Sequence, residues 1–465
     1  MLASLRSAAV FGVDAYPVHV EVDVAFGLPH FSMVGLPDAT VRESRDRVRS
    51  AIRNSGFEFP HHRITVNLAP ADVRKAGSSF DLPIALGLLA TSGPLARRCV
   101  DDTVVVGELS LDGAINGIRG VLPIAVGARR LGLKRLLLPP QNAAEACVVE
   151  GLDICIAQSL GEAVDALNEP ERAKRATAGA IVAHATFVDS DLADVRGQLL
   201  ARRALEIAAA GGHNLLLTGP PGSGKTMLAR RLGTILPPLT FDEAWESTAI
   251  HSVAGTLPSG QGLLPERPFR APHHTISTVA LVGGGSIPRP GEISLAHHGV
   301  LFMDEMPEFD RRVLEVLRQP LEQGLVTIAR ASRTAVFPAR FVLVGAMNPC
   351  PCGFAGTDRR PCRCTPVQVA KYQNRLSGPL RDRIDLIVDV PAVPVGSIVD
   401  GTSGEPSASV RERVIAARHA QHVRYGDTGP RTNAALRGSR VATYCRPDSK
   451  GRQLLRRAVD QLGLS

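Results

Sequence analysis

A glycine-rich loop between an apolar run and a helical pattern constrains the fold of this chain more than any other feature. Residues 215–218 form an apolar run, and residues 227–232 carry helical spacing. Between them lie Gly219, Pro220, Pro221, Gly222, Ser223, Gly224, Lys225 and Thr226. Glycines let backbone N–H groups converge on phosphate oxygens, and the N-terminus of a helix adds positive potential. The order of strand, loop and helix therefore predicts a nucleoside triphosphate site in an α/β fold.

Individual residues in and beyond the glycine loop are predicted to have specific roles in binding and hydrolysing the nucleotide. Lys225 is expected to reach the β- and γ-phosphates, and Thr226 to offer its hydroxyl to Mg²⁺. Further along the chain, an apolar run at 299–303 ends in Asp304 and Glu305. We expect Asp304 to bind Mg²⁺ and Glu305 to polarise the attacking water. The alternative is that these adjacent acids are turn residues.

A third apolar run, residues 341–347, ends in the neutral polar residue Asn348. In this order of motifs Asn348 is predicted to position the water that attacks the γ-phosphate. The strand-like runs at 214–218, 300–303 and 341–346 are separated by segments long enough for helices. That spacing favours a parallel α/β sheet.

Length and composition predict several domains. One hydrophobic core rarely organises more than roughly 250 residues, so 465 residues suffice for about three domains. A hydrophobic fraction of 44% and a charged fraction of 21% exclude wholesale disorder and a fibrous repeat. The predicted parts are an α+β domain at 1–167, a linker at 168–190, a nucleotide-binding core at 191–396 and a partial helical lid at 397–465.

Charge and hydropathy narrow the class of partner. The net charge of +8 permits a polyanionic partner. Because only 4% of residues are aromatic, any nucleic-acid contact is expected to be electrostatic rather than built on stacking. No apolar run approaches the roughly 18 residues that cross a bilayer, and the N-terminus lacks the pattern of a secretory signal. We expect a cytoplasmic protein without a membrane partner.

Four of the eight cysteines form two close pairs, Cys350 with Cys352 and Cys362 with Cys364. Four thiolates in two pairs are what a tetrahedral structural Zn²⁺ needs. The C-x-C spacing is tighter than the usual C-x-x-C, so four reduced thiols in a loop are the alternative. Arginines around the cluster either present cations to DNA phosphate or are simply solvated.

Residues 325–329 and 334–337 are two β-rich runs that flank the polar sequence from Arg330 to Arg333. This pattern predicts a β-hairpin with Arg330 and Arg333 at its turn. Two histidine pairs, His273 with His274 and His297 with His298, are expected to serve loop structure or polar contacts in the core.

The glycine loop, Asp304 with Glu305, Asn348 and the segment 376–385 resemble AAA+ ATPases of the group that includes magnesium-chelatase subunits and MCM helicases. A closer resemblance is to the ComM/YifB family of magnesium-chelatase-like proteins, and it is carried by three further segments together with the N-terminal half. Those segments are 268–277, 290–297 and 348–353. The resemblance covers essentially the whole chain. It implies a hexameric, DNA-stimulated ATPase that migrates branched DNA during recombination in natural transformation.

The resemblance also assigns roles to arginines. In such rings a neighbouring subunit supplies the cation that stabilises charge on the γ-phosphoryl group. Arg383 matches the position of this trans arginine finger, with Arg381 as a substitute, and the alternative is that both merely solvate a helix end. In the related helicases the hairpin points into the ring channel, which places Arg330 and Arg333 against the DNA backbone.

Segments 75–81, 107–113 and 121–124 resemble the proteolytic domain of Lon. Lon needs a serine nucleophile that a lysine activates. Ser79 stands at the nucleophile position, whereas the lysine position falls at Ala128. The neighbouring Arg129 cannot act as the base, because a guanidinium does not deprotonate in proteins. We therefore expect a Lon-like fold without proteolytic chemistry.

The last predicted helix, residues 453–462, has one apolar face. In the ComM/YifB family a further helix follows it and carries the sensor-2 arginine of the lid, whereas this sequence ends at Ser465. We therefore expect a truncated form that binds ATP, hydrolyses it weakly and assembles poorly without DNA or nucleotide. The alternative is that Arg456 or Arg457 serves the lid.

These inferences predict an ATP-driven DNA motor. The rival hypothesis is a chelatase-type or chaperone-like remodeller, in which the same ATPase ring acts on a protein partner. Composition does not separate the two. The cysteine loop and the arginine hairpin favour DNA, because the rival has no need of a basic channel.

Overall fold

The computed structural model describes residues 1–96, 102–177, 190–285, 287–329, 334–357, 360–393 and 403–462. The chain divides into two compact units that alternate along the sequence. The first unit comprises Met1–Val188, Pro238–Phe341 and Arg375–Arg383. The second unit comprises Asp189–Pro237, Val342–Asn374 and Ile384–Ser465. The domain boundaries predicted from the sequence were drawn around the motifs and do not coincide with these two units. They stay a prediction.

A seven-stranded mixed sheet opens the first unit. Its strands are β1 (Leu2–Phe11), β2 (Asp14–Ala25), β3 (His30–Val34), β4 (Arg63–Ala69), β5 (Thr103–Val105), β8 (Arg135–Leu138) and β9 (Asp153–Ile156). A short antiparallel pair, β6 (Glu108–Leu109) with β7 (Ile115–Asn116), lies apart from it. The strand order is β3-β4-β2-β1-β5-β8-β9. The pairs β1–β2 and β2–β4 are antiparallel, and the remaining pairs are parallel.

Five helices accompany this sheet: α1 (Ala39–Asn54), α2 (Asp81–Ser92), α3 (Val121–Arg130), α4 (Ala143–Ala146) and α5 (Leu160–Asn168). A short 3-10 turn spans Pro140–Asn142. Helix α2 is buried from Asp81 to Thr91, since its residues are apolar on every side. Gly87 allows this close packing, because a Cβ there would lie 2.6 Å from Cγ2 of Val22. The α+β fold predicted for this part of the chain is confirmed.

The first strand was not predicted from the sequence. The apolar patch at the N-terminus is β1, which pairs with β2 along its whole length. Its buried residues alternate with exposed ones at the start, as in a strand with one face in the core. The patch is short and runs straight into the turn before Asp14, so its pattern alone did not distinguish a strand from a loop.

The rest of the first unit contains α8 (Phe241–Ala254), β11 (Phe269–Arg270), α9 (Thr278–Val282), β12 (Gly283–Gly284), β13 (Arg289–Pro290), α10 (Glu292–Leu295), β14 (Val300–Met303), α11 (Arg311–Glu315), α12 (Arg318–Gln323), β15 (Leu325–Ala329), β16 (Thr334–Pro338) and α14 (Gly378–Arg381). A 3-10 turn spans Met306–Glu308. Strands β11 and β14 are parallel, and the short strands β12 and β13 are antiparallel. Strands β15 and β16 form the predicted antiparallel hairpin. Its turn, with Arg330 and Arg333, lies outside the described residues.

In the second unit β10 (Leu215–Thr218) pairs in parallel with β17 (Val342–Met347) on one side and with β18 (Leu386–Asp389) on the other. Its helices are α6 (Leu199–Gly211), α7 (Lys225–Ile235), α13 (Pro366–Gln373), α15 (Ser407–Tyr425), α16 (Ser439–Tyr444) and α17 (Ser449–Leu462). Two 3-10 turns span Leu192–Asp194 and Asn433–Ala435. The strands at β10, β14 and β17 confirm those predicted from the sequence, and the helices at α15 and α17 confirm the predicted helical C-terminal part.

A buried carboxyl group lies in the first unit beside the packing of α3 against α8. Glu145 is only 5% exposed, and Nδ2 of Asn142 donates a hydrogen bond of 2.9 Å to its Oε1. Burial raises the pKa of Glu145 from its ordinary value of 4.5 to about 7. The native state therefore holds a proton on Glu145 at pH values where the unfolded chain has released it.

Stability is therefore expected to fall as the pH rises from about 4.5 to about 7, because the folded chain binds more protons than the unfolded chain in that window. The pKa shift corresponds to about 3 kcal/mol in the free energy of unfolding. Glu145→Gln should remove most of this pH dependence in thermal melts between pH 5 and pH 8. The exposed Glu150→Gln is the control, and parallel pH profiles for Glu145→Gln and the wild type would contradict the prediction.

Candidate nucleotide site and cysteine centre

The glycine loop joins the end of β10 to the start of α7. Gly222 and Gly224 take left-handed backbone angles, with φ of +73° and +91°, which glycine adopts without strain. A side chain at Gly219 would collide with the carbonyl oxygen of Val390. A Cβ at Gly222, by contrast, would meet no atom within 4 Å, so the outer side of the loop is open. An open glycine loop at a helix N-terminus fits a chain of phosphates.

Lys225 is the first residue of α7 and is buried. Its Nζ donates to the carbonyl oxygens of Gly219 at 2.7 Å and Pro220 at 2.9 Å, and to Oδ1 of Asn348 at 3.1 Å. Asn348 directly follows β17, the parallel neighbour of β10. The structure thus brings together two predicted site residues that are far apart in sequence, because carboxyl ends of parallel strands share one edge of the sheet.

Two hydroxyl groups flank Lys225. Ser223 is 2% exposed, and within the described part of the chain its Oγ has no hydrogen-bond partner. Thr226 follows Lys225 in the first turn of α7 and is half-buried. Buried hydroxyls usually find a partner, so the Ser223 Oγ in this loop fits a site that accepts a bound group. The roles of Ser223 and Thr226 toward phosphate and Mg²⁺ stay predictions.

In the first unit Asp304 and Glu305 directly follow β14, as predicted. Glu305 has φ of +50°, a left-handed angle that is uncommon for a residue with a side chain. Its N–H donates to Oδ1 of Asp304 at 2.9 Å, and its own side chain is 59% exposed. Strained angles of this kind persist where the surroundings enforce them, often at functional sites. The Glu305 carboxylate is thus reached by solvent at the end of β14.

His274 lies near this carboxylate. The sequence had predicted only a structural role for this histidine. Its Nδ1 lies 3.9 Å from Oε2 of Glu305, and its ring contacts the edge of Phe309 at 6.4 Å between centroids. The His273 ring lies tilted against that of His274, with 4.1 Å between the ring centroids. The segment that carries both histidines follows β11, the parallel neighbour of β14, and only this pairing places His274 near Glu305.

The predicted arginine finger has partners within the chain. The guanidinium of Arg383 forms an ion pair with Glu322, and its Nη1 donates to the carbonyl oxygen of Pro379 at 2.9 Å. Its side chain is 31% exposed. A finger that acts on a neighbouring subunit would have to leave Glu322, so its role stays a prediction.

The second histidine pair, which is buried, forms a network with the partly exposed Glu246 of α8. The Nε2 atoms of His297 and His298 lie 2.9 Å and 2.8 Å from Oε2 of Glu246. Burial lowers the pKa of His297 to about 4, so its ring is neutral at pH 7. Because its Nδ1 accepts the N–H of Arg340 at 2.9 Å, the proton is on Nε2 and points at Glu246. The side chains of Glu246, His297 and His298 lie close enough together to hold a metal ion, but the proton on Nε2 prevents this atom of His297 from coordinating one. The structural role predicted for the pair is therefore supported.

The four predicted cysteines converge in the second unit. Their sulfur atoms all lie within 4.8 Å of one another. The Sγ atom of Cys350 lies 3.4 Å from that of Cys352 and 3.7 Å from that of Cys362, and Cys352 and Cys362 are 3.6 Å apart. A tetrahedral Zn²⁺ with Zn–S bonds of about 2.3 Å separates its sulfurs by about 3.8 Å, whereas a disulfide bond is about 2.05 Å long. The spacing therefore fits a metal and not a disulfide.

Backbone groups around the cluster also favour thiolates. The N–H of Ala355 donates to Sγ of Cys350 at 3.3 Å, and the N–H of Cys364 donates to Sγ of Cys362 at 3.4 Å. Hydrogen bonds from the N–H groups of Arg363 and Phe354 lower the pKa of Cys352 to about 6, whereas burial and the neighbouring sulfurs raise the pKa values of Cys362 and Cys364. Such donors stabilise the deprotonated sulfur that a metal requires. The four cysteines could thus hold Zn²⁺ as a structural cross-link.

We expect protein purified without a chelator to carry about one Zn²⁺ per chain, because structural sites of this type bind zinc tightly. The double change Cys350→Ser and Cys352→Ser should release the metal, as measured by elemental analysis and by a colorimetric chelator. Cys445→Ser, an exposed cysteine outside the cluster, is the control and should leave the zinc content unchanged. Metal-free wild-type protein would show that the four sulfurs are reduced thiols.

Comparisons with known proteins identify the family. Residues 191–398 match the family described as magnesium chelatase, subunit ChlI, and residues 20–142 and 404–465 match two further families of the same subunit. Protein YifB of Salmonella typhimurium is 47% identical over 466 residues, which cover 100% of this chain and 90% of that protein. Competence protein ComM of Haemophilus influenzae is 47% identical over 469 residues, with the same shares. The chain belongs to the ComM/YifB family of magnesium-chelatase-like proteins. The resemblance inferred from the sequence is confirmed, and with it an AAA+-like domain.

The N-terminal part of this chain is Lon-like. A Lon protease of Chloroflexus aurantiacus is 32% identical over 133 residues, which are 27% of this chain and 16% of that protein. Helix α3 contains Ala128 but no lysine at any position. Ala128 lines a cavity of about 130 Å³ to which Ser79 does not belong. The predicted Lon-like fold is confirmed, whereas the absence of a Ser-Lys dyad stays a prediction.

The described helices are all too short or too polar to span a lipid bilayer.

Proposed function

We propose that this chain is an ATP-driven motor that acts on branched or single-stranded DNA during recombination. The observation that carries the proposal is the convergence of Lys225 and Asn348 on an open glycine loop, in a chain that resembles a competence protein along its whole length. Competence is the uptake of DNA, so the name of that relative points to DNA as the substrate.

The ATP site is assigned to the residues of the loop. The backbone N–H groups from Gly219 to Gly224 cradle the phosphates, and Lys225 exchanges its carbonyl partners for the β- and γ-phosphate oxygens. Bound Mg²⁺ would neutralise the charge that develops on the phosphates. Thr226 and Asp304 are the residues proposed to hold it.

Hydrolysis is assigned to Glu305 and Asn348. The exposed carboxylate of Glu305 takes a proton from the attacking water, while the Asn348 amide orients that water. In this scheme His274, whose Nδ1 lies 3.9 Å from Oε2 of Glu305, is a neighbour that restrains the Glu305 side chain. The catalytic set is completed in trans by Arg383 of a neighbouring subunit in a homo-oligomer, for which a hexamer is proposed.

Contact with DNA is assigned to the basic residues. Arg330 and Arg333 lie between β15 and β16 in the sequence, and the proposal places both against the DNA backbone in the channel of the ring. Phosphate contacts of this kind are electrostatic and weaken with salt. The rival function, remodelling of a protein partner, is favoured by the match to magnesium-chelatase subunits, but it leaves the basic hairpin without a role.

The deciding experiment measures the rate of ATP hydrolysis with and without forked DNA, across a series of salt concentrations. We expect forked DNA to raise the rate several-fold at low salt and the stimulation to fade as salt increases. Lys225→Ala should be inactive under both conditions. A rate that forked and single-stranded DNA leave unchanged, but that a protein partner raises, would favour the remodeller.

A further inference from the structure

The four sulfurs of Cys350, Cys352, Cys362 and Cys364, called here the cysteine centre, belong to the same unit as the glycine loop. We infer that the cysteine centre positions this loop and Asn348, so that release of its metal weakens the binding of ATP. The inference rests on the proposed ATP site. It makes the cysteine centre part of the nucleotide-binding machinery, in addition to a local cross-link.

The first connection runs through Asn348. Only Pro349 separates Asn348 from Cys350, and the proline ring fixes one of the backbone angles between them. The carbonyl oxygen of Pro349 accepts a hydrogen bond of 3.2 Å from Nε2 of Gln373 on α13. Cys350 itself is fully buried. The position of its sulfur therefore restrains the Asn348 amide, whose Oδ1 lies 3.1 Å from Nζ of Lys225.

The second connection is a direct packing contact. The N–H of Gly353 donates to the carbonyl oxygen of Cys350 at 2.9 Å and closes a tight turn, in which Gly353 has φ of +84°. A Cβ added to Gly353 would lie 2.6 Å from Cδ and 2.7 Å from Cγ of Pro221. The turn of the cysteine centre therefore presses its backbone against the proline that precedes Gly222 in the loop.

A metal makes these two connections rigid. Bound to all four sulfurs, the metal would tie the turn at Cys350–Cys352 to the segment Cys362–Cys364, which lies further along the same loop. Without it, the described contacts between the two pairs are weak sulfur hydrogen bonds of 3.6–3.7 Å. The loop and Asn348 would then have to be ordered when ATP binds, and this cost lowers the affinity.

Thermodynamic linkage gives the inference a second measurable consequence. If the metal strengthens ATP binding by some factor, ATP must strengthen metal binding by the same factor. A competing chelator should therefore remove less zinc at equilibrium when nucleotide is bound. A purely local cross-link would not produce this reciprocal effect.

The test measures the dissociation constant of a fluorescent ATP analogue for the zinc-loaded chain and for the chain after zinc is removed with a chelator. We expect removal to weaken binding by about tenfold or more. Zinc release to a colorimetric chelator is measured in parallel with and without ATP. Circular dichroism establishes that the stripped chain remains folded.

Two glycine variants test the contact without touching a sulfur. Gly353→Ala should keep its zinc and bind the analogue several-fold more weakly, because the new methyl displaces Pro221. Gly356→Ala is the matched control, since Gly356 has a similar φ of +71° in the same loop but a Cβ there would meet no atom within 4 Å. Gly356→Ala should therefore suffer the same backbone strain while keeping its affinity for nucleotide.

Several results would overturn the inference. They are equal affinities of the loaded and stripped folded chains, equal effects of the two glycine variants, or an equilibrium extent of zinc release that ATP does not lower. In those cases the proposed ATP site would stand, provided that the zinc-loaded wild type binds the analogue. Failure of the zinc-loaded wild type to bind any analogue would instead refute the proposed function, and the inference with it.

Discussion

Glu305→Gln is expected to lower the rate of ATP hydrolysis by roughly 10²–10⁴-fold while ATP binding is retained. The amide has nearly the shape of the carboxylate but cannot accept a proton from water. The loop, Lys225 and Asn348 are unchanged, so the phosphates keep their ligands. Steady-state turnover and the affinity for a fluorescent ATP analogue, measured on the same preparation, separate the two effects.

Glu308→Gln is the matched control for this change, since Glu308 lies in the turn directly after Glu305 and pairs with Arg375 on the surface. It should retain nearly normal turnover. Turnover of Glu305→Gln within tenfold of wild type would remove Glu305 from the role of general base. His274→Gln adds a further readout, because loss of a neighbour that only restrains Glu305 should lower the rate far less than loss of the carboxylate.

Arg383→Ala is expected to bind nucleotide normally and to lose about 10³-fold or more in hydrolysis, as arginine fingers in related ATP- and GTP-hydrolysing sites do. The reason is that the cation stabilises charge which develops only in the transition state. Arg381→Ala is the control, because Arg381 is an exposed arginine at the end of α14, two residues before Arg383, and this variant should hydrolyse ATP nearly normally. The reverse result would transfer the role to Arg381.

A mixing experiment tests whether Arg383 acts across subunits. Arg383→Ala and Lys225→Ala chains are each inactive in this scheme, but a mixed ring contains sites with an intact loop from one chain and an intact Arg383 from its neighbour. Partial recovery of ATP hydrolysis on mixing is therefore expected. No recovery in assemblies shown to contain both chains would indicate that Arg383 acts within its own subunit or stays with Glu322.

The residues of the nucleotide loop could be predicted from the sequence because its chemistry depends on local backbone geometry. Gly222 and Gly224 permit left-handed angles, and the apolar run before them and the helical run after them are contiguous in the chain. The four cysteines were predicted for a similar reason, since two close pairs within one short loop are already near each other. In both cases few long-range contacts were needed to define the set.

Other features depended on contacts between residues distant in sequence. His274 lies near Glu305 only because β11 pairs with β14, and histidines in a loop carry no signal of such a neighbour. Glu246 joins His297 and His298 because α8 packs beside them, and the sequence offered no acidic partner for that pair. The contact between Gly353 and Pro221 likewise joins two loops that meet only in the folded unit.

The sequence by itself determined the family, the α/β class, and the glycine loop, acidic pair and cysteine pairs, because these depend on residue type and short-range spacing. Only the tertiary structure decided which of these groups lie together. It placed Asn348 against Lys225, bonded Arg383 to Glu322 and packed the cysteine turn on the glycine loop. Such contacts follow from strand order and helix packing, which the burial of many apolar side chains sets jointly, so no local pattern encodes them.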